Sequence, residues 1–334
     1  VACFTTINDI FQQIEMKKTA ILFPGQGSQY LGMGKAFIEV CPDASALMDM
    51  AETVSGFPLR QLCCDGPLEE LTRTLHLQPA LTAVNLICCQ QLRKSLPEFV
   101  PAWTAGHSLG EYSALHAAGV LSAEGTIALV TKRGELMERE SAAHPGGMRA
   151  VLGLTIEDVE NLLGQHIGPG TVVVANHNSP QQIIISGDQE GLDSFSELCK
   201  ANGAKKIAPL KVAGANHSPL VAGAVPDFAA CMEQVSFNPP ATRLLFNVTA
   251  AEERDPTAMR AIMARQIASR VRWHESICRM IEDGVEVFVE LGPGSVLTGM
   301  MKKILPAGSA AVCVQADAPE SLAKAVNLIA GEGA

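Results

Sequence analysis

The chain has 334 residues, 47% of them hydrophobic and 18% charged, which is enough apolar surface for one large or two moderate cores and excludes a disordered chain. With 35 acidic against 25 basic residues the net charge is −10, and aromatics are only 4%, so no nucleic-acid face or base-stacking platform is expected. Apolar runs break well before the roughly 18 residues needed to span a bilayer, so no membrane association is expected either.

Phe4, Ile7, Phe11 and Ile14 stand at helical spacing ahead of Met16-Lys17-Lys18, which reads as an initiation site. Residues 1–15 are therefore expected to be an extension outside the fold, and they lack the charged and apolar regions of a signal peptide. From Thr19 the rhythm is α/β. TAILF reads as a buried strand ended by Pro24-Gly25-Gln26-Gly27, and helices are expected over 42–54, 67–75 and 79–95. WTAG (103–106) reads as a strand closing in a sharp turn, followed by a small-residue helix and a long amphipathic one over 123–142.

After Gly146-Gly147 the pieces become short: MRAVLGL, TIEDVENLLGQ, TVVVANH, QQIIISG, QEGLDSFSELCKANG and KKIAPLKV. Strand, helix, strand, strand, helix, strand is the pattern of a ferredoxin-like unit. The reading is a small domain over 147–212, inserted into a larger α/β domain made of 16–146 and 213–334. Strands RLLFNV, VEVFVEL and AAVCV and helices at 256–269, 274–283 and 317–331 complete that larger domain. The ten cysteines include the adjacent pairs Cys63–Cys64 and Cys88–Cys89, with no C-x-x-C, so free core thiols in a reducing cytoplasm are expected rather than disulfides or a zinc ribbon.

The strongest chemical signal is Gly106-His107-Ser108-Leu109-Gly110, a G-x-S-x-G between a predicted strand and a predicted helix. In that context the motif makes a nucleophile elbow: the glycines remove clashes around a strained turn, and the helix N-terminus offers N–H groups to an oxyanion. Of eight histidines, His217 in Ala-Gly-Ala-Asn-His-Ser-Pro has the loop context of a positioned base, although a lone loop histidine is ordinarily solvated. No Asp or Glu stands out as a third member, and the 117 residues after His217 depart from a standard α/β-hydrolase order. The loop Phe23-Pro24-Gly25-Gln26-Gly27-Ser28-Gln29 lacks the spacing and lysine of a phosphate loop.

Taken in order, GQGSQ, GHSLGEYSAL, RGELM, ANHSP and ELGPGSVLTGM resemble the malonyl-CoA:acyl-carrier-protein transacylase family from about Lys18 to Leu305. The resemblance implies an α/β-hydrolase-like large domain with a parallel sheet and elbow. It implies Ser108 as nucleophile, His217 as base, and the backbone carbonyl of Gln266 orienting that base. The oxyanion hole would be the N–H groups of Gln26 and Leu109. Arg133 would pair with the malonate carboxylate, which suits a guanidinium's two parallel donors. Met137 would line the acyl pocket, and Asn176 and Asn178, in a loop of the small domain, would help close it.

Three positions depart from the family pattern: Glu138, Arg149 and Asn216, the last where selectivity between malonyl and α-branched units is sorted. The implied activity is ping-pong transfer of malonyl from malonyl-CoA to the phosphopantetheine thiol of an acyl carrier protein, with no cofactor or metal, by a monomer. A polyketide acyltransferase working in trans with another extender unit, a transferase of malonate decarboxylation, a thioester hydrolase and a non-enzymatic docking module are the alternatives. Because carrier proteins are acidic, the net charge of −10 also calls for a local basic patch, with Lys205, Lys206, Lys211, Arg270, Arg272, Lys302 and Lys303 as candidates.

Overall fold

The computed structural model describes residues 16–332, so the expected extension at 1–15 lies outside the described residues. Among the described residues, nine strands form two sheets: β1 (Thr19–Phe23), β2 (Trp103–Gly106), β3 (Gly147–Leu152), β4 (Val172–Ser179), β5 (Gln182–Gly187), β6 (Lys206–Pro209), β7 (Arg243–Leu244), β8 (Val287–Leu291) and β9 (Val312–Ala316). The larger sheet has the order β7-β2-β1-β8-β9 with every pair parallel. A parallel sheet must be covered on both faces, and β1 shows why TAILF carries no polar alternation. Ile21 and Phe23 enter one core, with the helices Thr74–Ser95 and Ala123–Ala143, while Ala20 and Leu22 enter the other, with Trp103, Trp273 and Phe288.

Phe23 is level with Gly106 in the β1–β2 register. The two glycine-rich turns that follow these strands therefore lie side by side at the carboxyl edge of the sheet, where parallel α/β sheets place their ligands.

The smaller sheet has the order β4-β5-β3-β6, all antiparallel, with the helices Ile156–Gln165 and Gln189–Ala201 on one face. Its other face carries Met148, Ala150, Ala175 and Ile184. The small sheet meets the core of the larger one at a seam: Val271 donates its N–H to Ala175 O (2.8 Å), and His177 donates its N–H to Val271 O (2.9 Å).

Several local expectations shift. The helix expected from residue 79 begins at Thr74 and carries Pro79 inside it. Glu138 accepts from Leu75 N–H (3.1 Å) and from Arg73 (2.8 Å), serving the free donors of that helix start. RLLFNV pairs in the sheet only at Arg243–Leu244, because Asn247 is drawn into the elbow described below. The helices Lys35–Ile38, Leu59–Cys64 and Ala224–Met232 were not expected. Asn176 and Asn178 lie on β4, not in a loop. Arg149 is held by Ser196 Oγ (2.9 Å), Leu192 O (3.1 Å) and Asp193, so it ties β3 to the helix Gln189–Ala201. The nine described cysteines are free. Among the described residues, no helix is long and apolar enough to cross a membrane.

Candidate active site

Ser108 sits between β2 and the helix Gly110–Ala117 with φ 51°, a left-handed conformation that costs a non-glycine residue strain. Its neighbours must be glycine. A Cβ on Gly106 would lie 2.0 Å from the carbonyl of Gly110, and one on Gly110 would lie 2.1 Å from Phe23 O. Asn247 clamps the turn: its Oδ1 accepts from Ser108 N–H (2.7 Å) and its Nδ2 donates to Gly106 O (2.7 Å).

His217, also at positive φ, is 4% exposed. Its Nδ1 faces two carbonyl oxygens, Gln266 O at 3.0 Å and Ser269 O at 2.9 Å. Carbonyls only accept, so Nδ1 carries the proton and Nε2 presents its lone pair. That lone pair faces Ser108 Oγ at 2.8 Å. Burial first, and then the nearby Arg133 charge, hold the imidazole pKa down at about 3, opposed by the Gln266 carbonyl. The ring is therefore a neutral base at ordinary pH.

Arg133 is fully buried, yet among the described residues it has no carboxylate within ion-pair distance. It donates to Gln78 Oε1 (3.0 Å), Gln266 Oε1 (3.2 Å) and Ser108 Oγ (3.2 Å), and its Nε has no partner. A desolvated cation held by neutral amides is a receptor for an anion. Gln266 is the hub of the site. Beyond its carbonyl and Oε1, its Nε2 donates to Ser108 O and to Glu111 Oε2, both at 2.8 Å. Burial pushes the Glu111 carboxyl up to about 8, opposed by the Asn247 and Gln266 N–H donors and by Arg133.

Ser108 and His217 open on a cavity of about 230 Å³ between the two sheets, lined also by the Gly25–Gly27 turn, His107, Asn216 and, from the small sheet, Met148, Asn176, Asn178 and Ile184. Gly25 lets its loop press on the elbow: a Cβ there would lie 2.4 Å from His107 O and 3.5 Å from Leu109 N. The N–H groups of Gln26 and Leu109 make no hydrogen bond among the described residues.

One expectation changes. Met137 does not line the cavity; it is turned into the core with its sulfur 3.3 Å from Gln78 Nε2. Arg133 lies behind the cavity wall and reaches it past Ser108. His107, beside Ser108 on the turn, lines the cavity, and its Nε2 is 2.8 Å from Asn178 Oδ1, linking elbow to small sheet. Asn216 also lines the cavity, with Oδ1 unpartnered.

Of the basic candidates, Lys205 and Lys303 border a second cavity of about 340 Å³ that shares Gln182 with the first. Arg270 is instead paired with Glu160, and Arg272 donates to Val248 O. Sequence reasoning missed Gln78, Glu111, Asn247 and Ser269. Their one signal was a polar residue isolated in an apolar stretch, or beside the elbow.

Residues 21–320 match the family described as acyl transferase domain. The malonyl CoA-acyl carrier protein transacylase of Bacillus subtilis (strain 168) is 40% identical over 290 residues, 86% of this chain and 91% of that protein. The crystal structure of an acyl carrier protein S-malonyltransferase from Vibrio cholerae superposes with a TM-score of 0.86 at 36% identity, covering 92% of this chain and 99% of that one. A malonyl-transacylase solved in complex with its type II PKS acyl-carrier protein gives 0.87 at 35% identity, covering 93% and 99%. With these likenesses running through both sheets and the elbow, the chain belongs to the malonyl-CoA:acyl-carrier-protein transacylase family of acyl transferases.

Proposed function

We propose that the protein transfers malonyl groups from malonyl-CoA to the phosphopantetheine thiol of an acyl carrier protein through malonyl-Ser108. The observation that carries this reading is the convergence on Ser108 Oγ of a neutral base, His217 Nε2 at 2.8 Å, and an unpaired buried cation, Arg133 at 3.2 Å. His217 takes the hydroxyl proton as Oγ attacks the thioester carbon. The oxyanion is met by the N–H groups of Gln26 and Leu109, each such donor worth about 10²–10³ in rate. The C–S bond then breaks and the imidazolium returns its proton to the departing CoA sulfur. The carrier thiol repeats the sequence in reverse.

Arg133 selects the acyl group by pairing with its free carboxylate, and Asn216 and Asn178 stand where an acyl chain would pass. Gln266 acts as a positioning residue for both base and guanidinium. The steps use the chain's own groups, a thioester donor and a thiol acceptor, with the CoA thioester as substrate rather than cofactor.

The parallel sheet with an elbow supports an α/β-hydrolase-like reading of the large domain, 16–146 and 213–334. The strand order β4-β5-β3-β6 supports a ferredoxin-like reading of 147–212. The free thiols suit a cytoplasmic location.

The test is CoA release from malonyl-CoA. Without carrier protein a burst of one equivalent per chain is expected, and turnover only after holo-carrier is added. Steady release without carrier would make the protein a hydrolase instead.

A further inference from the structure

We infer that the seam between the two sheets holds a divalent-cation site for a borderline-soft ion of the Zn²⁺ class, built from His177, His274 and Glu275. Their donor atoms lie within 4.8 Å of one another. His177 is on β4 and is 4% exposed, while His274 and Glu275 open the helix Trp273–Glu282.

A buried histidine normally spends its ring nitrogens on hydrogen bonds. Here neither Nδ1 nor Nε2 of His177 has a hydrogen-bond partner, and neither does Glu275 Oε2. Nδ1 and Oε2 face each other at 3.2 Å without hydrogen-bond alignment. That spacing is close to the roughly 3.3 Å between two donors of a tetrahedral zinc whose arms are about 2.0–2.1 Å. The other carboxylate oxygen faces Arg272 at 3.8 Å, which leaves Oε2 to the histidines. The imidazoles of His177 and His274 are stacked obliquely, 4.6 Å between centroids, and His274 Nε2 lies 3.6 Å from Cys278 Sγ.

The donors are two imidazoles and one carboxylate. That set suits zinc better than magnesium or calcium, which prefer all-oxygen shells. Three protein ligands leave a fourth position for water. The place gives the ion a structural task. His177 stands between Asn176 and Asn178, which face the catalytic cavity, and its N–H is already bonded to Val271 O. An ion bridging β4 to the helix after Val271 would fix the wall of that cavity without touching substrate.

The experiment uses the full chain stripped with chelator and titrated with Zn²⁺, following bound metal by mass spectrometry and the thermal midpoint. One equivalent per chain and a raised midpoint are expected for the wild type. His274→Ala and Glu275→Gln, at half-exposed positions, should each weaken binding at least about tenfold and abolish the shift. Zn²⁺ retained unchanged by the double variant would place it on cysteines elsewhere and overturn the site, as would a wild-type chain that binds none. Mg²⁺ should not compete. Neither readout depends on acyl transfer, so the site and the proposed function stand or fall separately.

Discussion

Replacing Arg133 by alanine should change which acyl group the enzyme accepts. In the wild type the guanidinium is fully buried and lacks a carboxylate partner among the described residues. A malonyl carboxylate therefore gains charge-assisted bonds, each worth about 1.5–3 kcal/mol. Two such bonds amount to about 3–6 kcal/mol, a fall of about 10²–10⁴ in kcat/KM for malonyl-CoA. Acetyl-CoA offers no carboxylate and leaves the desolvated cation unpaired, so its kcat/KM should fall far less. The variant also orphans Gln78 Oε1 and removes a donor to Ser108 Oγ, which lowers both substrates together. The diagnostic quantity is therefore the ratio of the two kcat/KM values, measured by CoA release in the presence of holo-carrier. A ratio left at its wild-type value would refute the assignment of Arg133 to the carboxylate.

Two further outcomes follow from the charges of the site and its surroundings. The unfolded imidazole of His217 takes up a proton near pH 6.5, but the buried one only near pH 3. Acylation of Ser108 should therefore keep its rate from pH 7 down to about pH 5, measured by rapid-quench mass spectrometry, and a midpoint near 6.5 would contradict the buried base. By the same linkage, the stability owed to the neutral ring is complete above pH 6.5 and is lost as pH falls toward 3, visible in urea midpoints. Lys205→Glu with Lys303→Glu should raise KM for carrier protein several-fold at low salt, at about 1 kcal/mol or less per exposed charge, and leave malonyl-CoA acylation untouched. A KM indifferent to both changes would move the carrier elsewhere.

The sequence made the elbow readable because G-x-S-x-G between strand and helix is a local geometric demand, visible without any partner. His217 was readable only by its loop and by the resemblance, since what makes it a base is two carbonyls some fifty residues further on. Asn247 was read as the tail of a strand. Only the fold brings it to Ser108, 139 residues away, and no spacing rule reaches that far. Met137 shows the converse failure: the resemblance put it in the acyl pocket, but it meets the same Gln78 amide as Arg133 and stops in the core, while the longer Arg133 side chain reaches the serine. His177 had no loop context and drew no reading, because its partners lie on a helix almost a hundred residues away.

The central claim is a covalent malonyl-Ser108 that a carrier thiol can collect. Intact-mass spectrometry of the protein after brief exposure to malonyl-CoA measures it most directly. The wild type should gain one malonyl group and lose it when holo-carrier protein is added, while Ser108→Ala gains none. An adduct that survives the Ser108→Ala change, or one that holo-carrier protein does not remove, would contradict the account.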